Sequence, residues 1–380
     1  MKKFSLILTL TFFISMFTCN VVSAEQGPDV SAKGCVLIES LTGEVVYEKN
    51  ANQKLPMAST TKIMSAMLAL EFCDNLDEEF VVDSEAIKVE GSSMGLQEGD
   101  TVTMRNLVYG MLLPSGNDAA QAAAVRISGS VEQFVQLMND RAVELGLNST
   151  HFVTPSGLDD DTDEHYSTAY DMAILTREAL KINEFREICG QYTAKVKFGN
   201  PPYERWLTNS NKLLNSCDGV IGVKTGFTDK AKRCLVSACE RNGGTLICVT
   251  LNDPNDWLDH TRLYDYGFNM FSEQQLPLES NEFQLNVVGG NKDSVKCKTK
   301  IIKKGMLKGS SDKITNQINL DHFLYSPVAE NVKVGSVKYY YKDELVFEEP
   351  IYTAENVKAL QPKEKSFFEK LLDKLKICFA

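Results

Sequence analysis

The 380-residue sequence is poor in metal-binding residues and has no excess of positive charge. It contains four histidines, and none stands at a spacing typical of zinc ligands, so zinc-peptidase chemistry has no support. The formal net charge of -11 argues against a general nucleic-acid binder, which would need a basic face. Internal repeats and low-complexity tracts are also missing. We therefore expect a globular protein that uses no metal or other cofactor and binds no nucleic acid.

The cysteines follow no disulfide or metal pattern. Ten are present, and nine of them lie beyond residue 24, so these nine cannot all pair with one another. No C-x-x-C spacing occurs. Cys35, Cys234, Cys239 and Cys248 stand in apolar, strand-like runs. We predict that these four are buried free thiols that pack as small hydrophobic groups.

The N-terminus has the pattern of a secretory signal. Lys2-Lys3 precedes an apolar stretch over residues 4–17, which is too short to span a bilayer comfortably. Val22-Ser23-Ala24 offers small residues for cleavage. We predict a signal peptide over residues 1–24 and export of the mature chain. Cys19 leaves a lipoprotein signal as an alternative, although the two residues before it match a lipobox poorly.

The remaining sequence predicts an α+β protein with two regions. A hairpin pattern near residues 34–47 is followed by helical patterns up to residue 180, then by strand-like runs between 192 and 251 and a helix near 257–271. This order favours an antiparallel sheet with a helical lobe, which we assign to residues 25–275. Alternating apolar and polar residues predict a small all-β domain of the sandwich type over residues 276–360.

One Ser-x-x-Lys motif opens a helical pattern. Ser59-Thr60-Thr61-Lys62 precedes an apolar run that contains no Gly or Pro and predicts a buried helix. Residues three apart share a helix face, so the Ser59 hydroxyl and the Lys62 amine can meet. A hydroxyl becomes a nucleophile when a base takes its proton, and a lysine can be that base when burial or a nearby cation lowers its pKa. By itself, the motif is equally consistent with a helix cap.

Two further motifs follow in the chain. Ser115-Gly116-Asn117 lies between two predicted helices, and Lys224-Thr225-Gly226 ends a predicted strand. A second Ser-x-x-Lys copy, Ser310-Ser311-Asp312-Lys313, stands in a polar stretch with no long apolar helix after it, and we interpret it as chance. Penicillin-binding proteins and class A β-lactamases carry a trio of this kind in this order.

With this trio, the sequence resembles the low-molecular-mass penicillin-binding proteins that are serine-type D-alanyl-D-alanine carboxypeptidases. The resemblance extends from about Gly34 to Val357. Further stretches similar to that family are Gly91-Ser92-Ser93-Met94-Gly95-Leu96, residues 112–120, His165-Tyr166-Ser167-Thr168-Ala169-Tyr170-Asp171 and Lys224-Thr225-Gly226-Phe227-Thr228. The fold implied is a penicillin-binding or β-lactamase-like catalytic domain followed by a small β domain and an amphipathic helix.

The resemblance also implies a reaction and its residues. Ser59 would attack the carbonyl of the penultimate D-alanine of a peptidoglycan stem pentapeptide, Lys62 would act as base, and Ser115 would relay the proton to the leaving amine. The substrate would be held by Asn117 at its backbone amide, by Lys224, Thr225 and Gly226 at its terminal carboxylate, and by the N–H groups of Ser59 and Phe227 as an oxyanion hole. β-Lactam antibiotics would be covalent inhibitors.

Four positions depart from that family or remain open. Lys232 stands where the family usually has glycine, so the turn beside Lys224-Thr225-Gly226 is expected to differ. Some relatives place a carboxylate-binding arginine near position 256, where this chain has Asp256, and Arg262 is expected to be a surface residue. His165 is expected to be a capping or core residue rather than a catalytic one.

Two other functions remain as alternatives. A class A β-lactamase is disfavoured by Gly116, by the additional β domain and by the lack of an evident deacylating glutamate. A penicillin-binding sensor or wall-binding protein without turnover is disfavoured by the intact trio of motifs.

The last segment, residues 361–380, is predicted to be an amphipathic helix. Phe367, Phe368, Leu371, Leu372 and Leu375 fall on one side of such a helix, and lysines supply much of the other. The apolar run is too interrupted to span a bilayer but suits a helix that lies in the membrane interface. We therefore expect the mature enzyme to be held on the outer face of the cytoplasmic membrane through contacts with its lipids.

Overall fold

The computed structural model describes residues 27–159 and 162–361. The predicted signal peptide and the predicted C-terminal helix both lie outside these residues. Within them, no helix is long and apolar enough to cross a membrane.

The described chain contains helices and a first group of strands up to residue 275. The helices are α1 (Lys62–Glu71), α2 (Met104–Leu112), α3 (Asn117–Ser128), α4 (Val131–Glu144), α5 (Ala169–Ala179), α6 (Asn183–Cys189), α7 (Leu213–Ser216) and α8 (Asp256–Asn269). The first strands are β1 (Gly34–Glu39), β2 (Val45–Lys49), β3 (Glu79–Val81), β4 (Thr101–Thr103), β5 (Thr193–Gly199), β6 (Pro202–Thr208), β7 (Val220–Thr228), β8 (Lys232–Arg241), β9 (Gly244–Leu251) and β10 (Phe271–Gln275).

An antiparallel sheet in the order β2-β1-β9-β8-β7 forms the centre of this region. Side chains of a strand point alternately to its two faces. Val36 and Ile38 of β1 therefore join the core formed with the helical lobe, while Cys35 and Leu37 join a second core formed with α8. Because both faces are covered, all six residues of β1 are buried. Strand β7 lies at the edge of the sheet, beside the helical lobe.

The second region is built from strands with its own apolar core. Its strands are β11 (Glu282–Val288), β12 (Ser294–Lys298), β13 (Lys303–Leu307), β14 (Ile314–Leu320), β15 (Phe323–Tyr325), β16 (Lys333–Tyr341) and β17 (Glu344–Thr353). Six of these form a sheet in the order β14-β16-β17-β12-β11-β15, and β13 pairs with β10. The predicted α+β architecture with a sheet-rich second region is therefore confirmed.

The two regions touch through charged side chains. Arg177 of α5 is buried, donates to the carbonyls of Ser40 and Leu41 at 2.7 and 2.8 Å, and forms an ion pair with Glu344 at 2.8 Å. The second Ser-x-x-Lys copy lies at this contact, where the Ser310 hydroxyl donates to the Glu44 carboxylate at 2.9 Å. Ser310 is thus bonded in a contact between the regions, far in the fold from the Ser59 turn.

Candidate active site

Ser59 lies on a short 3-10 helix, Ala58–Thr61, and α1 begins at Lys62. Two hydroxyls close this turn: Thr60 donates to the carbonyl of Met57 at 2.6 Å, and Thr61 donates to the carbonyl of Ala58 at 2.8 Å. Ala58 has a φ of 49°, in the left-handed region that residues with a side chain rarely adopt. The turn holds Ser59 at the front of α1, as the sequence predicted for a residue at a helix start.

Lys62 is fully buried and surrounded by oxygen atoms. Its amine lies 3.0 Å from the Ser59 Oγ, 2.7 Å from the Asn117 Oδ1 and 2.6 Å from the carbonyl oxygen of Ser156. Burial lowers the pKa of Lys62 well below its usual 10.5, and the charge of Lys224 lowers it further, while Asp118 opposes both. A neutral amine so close to a hydroxyl can accept its proton.

The loop before α3 brings Ser115 and Asn117 to the same place. Ser115 has a φ of 68°, is buried, and its hydroxyl has no hydrogen-bond partner among the described residues. Gly116 is required here, because an added Cβ would lie 2.7 Å from the Asp118 Oδ1 and 2.9 Å from the Met94 nitrogen. Asn117 receives a bond from Lys62 and donates to the carbonyl of Glu90 at 2.6 Å.

Lys224 reaches the site from the edge strand β7. It is 1% exposed, its amine donates to the carbonyl of Thr225 at 2.8 Å, and burial lowers its pKa to about 7. Neither Lys62 nor Lys224 has an ion pair with any carboxylate of the described chain. Two buried lysines without an ion pair share one region, and the charge of Lys224 lowers the pKa of Lys62.

Gly226 lets β7 run directly against the Ser59 turn. An added Cβ at Gly226 would lie 2.9 Å from the carbonyl oxygen of Met57 and 3.2 Å from the Ser59 nitrogen. The next residue, Phe227, exposes most of its side chain. The backbone nitrogen of Ser59 therefore lies beside the backbone of Gly226 and Phe227.

A cavity of about 360 Å³ opens between these elements. Its lining includes Ser59, Ser115, Thr225, Gly226 and Phe227 from the three motifs. Lys62, Asn117 and Lys224 lie behind this wall, in contact with the lining residues. The structure thus brings all of the residues predicted from the motifs into one site.

Sequence reasoning missed the loop that carries Ser156. The carbonyl of Ser156 accepts from Lys62, and Gly157 has a φ of 89°. An added Cβ at Gly157 would lie 2.0 Å from the carbonyl oxygen of Ala58. The tripeptide Pro155-Ser156-Gly157 repeats the sequence of Pro114-Ser115-Gly116. This repetition is the sequence signal that could have identified the Ser156 loop.

Sequence reasoning also missed a cation that lines the cavity. Arg233 of β8 binds both carboxylate oxygens of Asp256 at 2.6 and 2.8 Å, and its guanidinium lies 5.2 Å from the centre of the Trp257 ring. All three residues line the cavity. The place where relatives were expected to carry an arginine thus holds an aspartate, which fixes an arginine from the neighbouring strand.

His165 stands behind the Ser59 turn and does not line the cavity. The Val153 N–H donates to its Nδ1 at 3.0 Å, so its Nε2 carries the proton and donates to the Thr61 Oγ1 at 2.8 Å. Burial lowers the pKa of His165 to about 3, which keeps the ring neutral. His165 therefore supports the turn that carries Ser59.

Lys232 lies in the left-handed backbone region that favours glycine. Its φ is 58°, and it pairs with Thr228 at the end of the β7–β8 hairpin. The hairpin forms at the cost of an unfavourable conformation for a residue with a side chain. In the described residues no group of three His, Cys, Asp or Glu side chains could hold a metal ion.

The chain is similar to proteins of a known family. A family described as "D-alanyl-D-alanine carboxypeptidase" matches residues 21–255, and one described as "Penicillin-binding protein 5, C-terminal domain" matches residues 273–359. The D-alanyl-D-alanine carboxypeptidase DacF of Bacillus subtilis is 31% identical over 376 residues, which is 94% of this chain and 95% of DacF.

Solved structures of two relatives superpose on the chain. The DD-transpeptidase of Streptomyces K15 is 34% identical with a TM-score of 0.61, and the match covers 64% of this chain and 99% of that one. Penicillin-binding protein 5 of Haemophilus influenzae is 28% identical with a TM-score of 0.61, and the match covers 87% of this chain and 98% of that one.

Proposed function

Because the chain belongs to the D-alanyl-D-alanine carboxypeptidase family, we propose that it removes the terminal D-alanine of peptidoglycan stem pentapeptides through an acyl-enzyme on Ser59. Membership makes it a serine-type carboxypeptidase that acts on peptidoglycan. A peptidoglycan substrate is consistent with export of the chain. The residues, the steps and the inhibitors given below are the proposal.

Acylation begins when the Ser59 Oγ attacks the carbonyl carbon of the penultimate D-alanine and the neutral Lys62 amine takes the hydroxyl proton. The support is the 3.0 Å contact between these two groups, with a lysine whose pKa burial has lowered. The backbone N–H groups of Ser59 and Phe227 donate to the oxyanion that forms. A single donor of this kind typically lowers the barrier by about 3–4 kcal/mol.

The C–N bond then breaks, and a proton passes from Lys62 through the Ser115 hydroxyl to the leaving amine. The support is the buried Ser115 hydroxyl, which has no other partner among the described residues. D-Alanine departs, and Ser59 keeps the rest of the peptide as an ester. Water then attacks that ester, Lys62 accepts the proton of the water, and the free Ser59 hydroxyl is restored.

Two sets of residues hold the substrate. Asn117 holds the backbone amide, while Lys224 and Thr225 provide positive charge and a hydroxyl near the terminal carboxylate. Arg233 adds a second cation from the neighbouring strand β8, where it pairs with Phe227. Its Nε and Nη2 are used by Asp256, which leaves its remaining N–H groups for the carboxylate of the substrate.

β-Lactams are proposed as covalent inhibitors. Their strained ring amide and carboxylate offer the same two groups as the D-Ala-D-Ala end, so Ser59 would attack the ring carbonyl. The leaving amine stays attached to the acyl group, and the ester with Ser59 then persists.

The close, buried contact between Lys62 and Ser59 carries the proposal, and one experiment tests it. The purified protein is incubated with a tripeptide that ends in D-Ala-D-Ala and, separately, with penicillin. Release of D-alanine together with a stable penicilloyl adduct on Ser59 is expected, and Ser59→Ala should abolish both. Ser310→Ala is the matched control and should change neither. Rapid hydrolysis of penicillin would favour a β-lactamase, and an adduct without D-alanine release would favour a sensor.

We further propose that residues 363–380 hold the enzyme on the outer face of the cytoplasmic membrane. The support is the sequence pattern, in which large apolar side chains lie on one side of a helix and lysines lie on the other. A chain truncated after Leu360 should be active and soluble, while the mature full-length chain should bind anionic vesicles. Sedimentation of the truncated chain with membranes, or failure of the longer chain to bind vesicles, would refute the anchor.

A further inference from the structure

A cluster of two cysteines and an arginine lies on the face of the central sheet that α8 covers. Cys217 precedes β7, while Cys239 and Arg241 belong to β8. None of the three lines the cavity that contains Ser59. Every cysteine of the described residues is a free thiol. The cluster thus has no role in the chemistry proposed above.

The fold brings the two sulfur atoms together. The Val220 N–H donates to the carbonyl of Cys217 at 3.3 Å, which closes a tight turn, and Val220 pairs with Cys239 across the sheet. Gly219 allows this approach, because it has a φ of 82° and an added Cβ would lie 3.2 Å from the Cys239 Sγ. The Cys239 thiol donates to the carbonyl of Asp218 at 3.4 Å, so it lies beside the residue that follows Cys217.

A fixed cation lies beside one of these sulfur atoms. The Arg241 Nη2 donates to the Cys217 Sγ at 3.3 Å. Its other nitrogens donate to the carbonyl of Asp218 at 3.0 Å and to the carboxylate of Asp265 at 2.8 Å, so the guanidinium is held from three sides.

These contacts make the two cysteines chemically different. The neighbouring Cys239 thiol lowers the pKa of Cys217, aided by the charge of Arg241 and opposed by burial. The neighbouring Cys217 and burial raise the pKa of Cys239. Cys217 remains 7% exposed, while Cys239 is fully buried. A thiol beside a cation and next to a second thiol has two features of a reactive cysteine.

We propose that Cys217 and Cys239 form a thiol–disulfide exchange site that reacts with low-molecular-mass disulfides, with Cys217 as the attacking and Cys239 as the resolving cysteine. The Cys217 thiolate attacks one sulfur of the incoming disulfide, and the first small thiolate leaves and takes a proton from solvent. Cys239 then loses its proton to solvent and attacks the Cys217 sulfur, which releases the second small thiol. Two protein thiols are oxidised to one disulfide while the incoming disulfide is reduced to two thiols, so electrons balance.

The chain holds a matched pair for comparison. Cys35 and Cys248 lie diagonally across the paired strands β1 and β9, and both are fully buried. Burial raises the pKa of Cys248 well above its usual value, and no cation contacts it in the described residues. Cys73 is partly exposed but contacts no arginine, and its thiol donates to the carbonyl of Asn75. The pair of Cys35 and Cys248 is the control for proximity of two thiols. Cys73 is the control for exposure of a thiol to solvent.

The test treats the reduced, mature full-length protein with glutathione disulfide at pH 6.5 and maps the products by mass spectrometry. A Cys217–Cys239 disulfide is expected in the wild type, and Cys239→Ser should accumulate a glutathione adduct on Cys217. Arg241→Gln should slow this labelling by roughly tenfold at pH 6.5, since a thiolate without its cation is less populated. Cys217→Ser should leave D-alanine release unchanged, which separates this site from the proposed function.

Two results would overturn the proposal. One is labelling of Cys217 no faster than that of Cys35 and Cys248 in the folded wild type. The other is a persistent glutathione adduct on Cys217 in the wild type, with Cys239 still reduced. Both results are measured on the wild-type protein, so they test the proposal even if a variant fails to fold.

Discussion

Lys62 and Lys224 show at the scale of single residues how burial creates a base. Two amines enclosed without a carboxylate partner among the described residues cannot both hold a proton at low cost. The motifs predicted that both lysines approach Ser59, because spacing in a helix and position at a strand end can be read from a sequence. The carbonyl of Ser156 could not be predicted in the same way, since every residue has a carbonyl and only the fold directs one to Lys62.

Removing the charge of Lys224 should shift the pH dependence of acylation. Lys224 has a pKa of about 7 and is protonated on the acidic side of that value, where its charge lowers the pKa of Lys62. In Lys224→Gln this repulsion is lost, the pKa of Lys62 rises, and the acidic limb of the penicillin acylation rate should move to higher pH. Acylation near pH 7 should also slow, with a thermal midpoint close to that of the wild type. If the acidic limb of the acylation rate stays at the same pH in Lys224→Gln, the coupling between Lys224 and Lys62 is contradicted.

Arg233 should contribute to binding of the terminal carboxylate. Hydrogen bonds to charged groups are worth about 1.5–3 kcal/mol, so Arg233→Leu should lower kcat/KM for a D-Ala-D-Ala tripeptide by about 10- to 100-fold. The same tripeptide with a C-terminal amide is the matched substrate and should be affected little. Arg233→Lys keeps the charge opposite Asp256 and should restore part of the activity. Equal losses on both substrates would assign Arg233 a structural role only.

The strained turn at Lys232 leads to a stability prediction. A left-handed conformation costs an ordinary residue about 1–2 kcal/mol, and glycine avoids this but loses more backbone entropy on folding. Lys232→Gly should therefore stabilise the protein by roughly 0.5–1 kcal/mol. Urea unfolding measures the change, and Lys230→Gly on the same hairpin is the control, since Lys230 has no positive φ. A less stable Lys232→Gly variant would show that the side chain compensates for its backbone.

At the scale of elements, strongly patterned segments could be predicted and weakly patterned ones could not. The helical patterns predicted before residue 180 follow from apolar spacing, and α4 and α5 lie within that span. The bounds of strand β6 could not be predicted, because six of its seven residues are exposed or only partly buried and leave no alternation to read. Its fold depends on pairing with β5 rather than on its own sequence.

The close approach of two elements cannot be predicted from a sequence either. Substitution of Gly157 tests whether the approach of its loop to the Ser59 turn matters for the reaction. Gly157→Ala must accept both a left-handed φ and a Cβ that would collide with the carbonyl of Ala58, so the Ser59 turn has to move. Acylation by penicillin should fall at least tenfold, because small displacements of a nucleophile have large effects.

Gly146→Ala is the matched control for this change. Gly146 has a φ of 72° but nothing within 4 Å of an added Cβ. It should share the conformational cost of about 1–2 kcal/mol and acylate at the normal rate. If both variants acylate alike, contact between the Ser156 loop and the Ser59 turn is not needed for the reaction.

At the scale of the whole molecule, the boundary between the two regions follows from packing rather than from sequence similarity. The family match ends at residue 255, before α8 begins. Leu263, Tyr264 and Phe268 of α8 pack on the outer face of the central sheet, together with Phe271 of β10. A chain that ends at 255 would expose that face to water, whereas one that ends at 275 keeps it covered.

A fragment of residues 25–275 should therefore retain D-alanine release and penicillin acylation, because every residue that lines the cavity lies within it. Its thermal midpoint should fall, since the ion pair between Arg177 and Glu344 and the pairing of β10 with β13 are lost. The matched fragment 25–255 lacks α8, leaves the apolar sheet face bare, and should aggregate or remain unfolded. Circular dichroism and acylation of both fragments provide the measurement. If the 25–275 fragment is folded but inactive, the loss of activity cannot come from a disrupted apolar core. The second region would then take part in forming the active site.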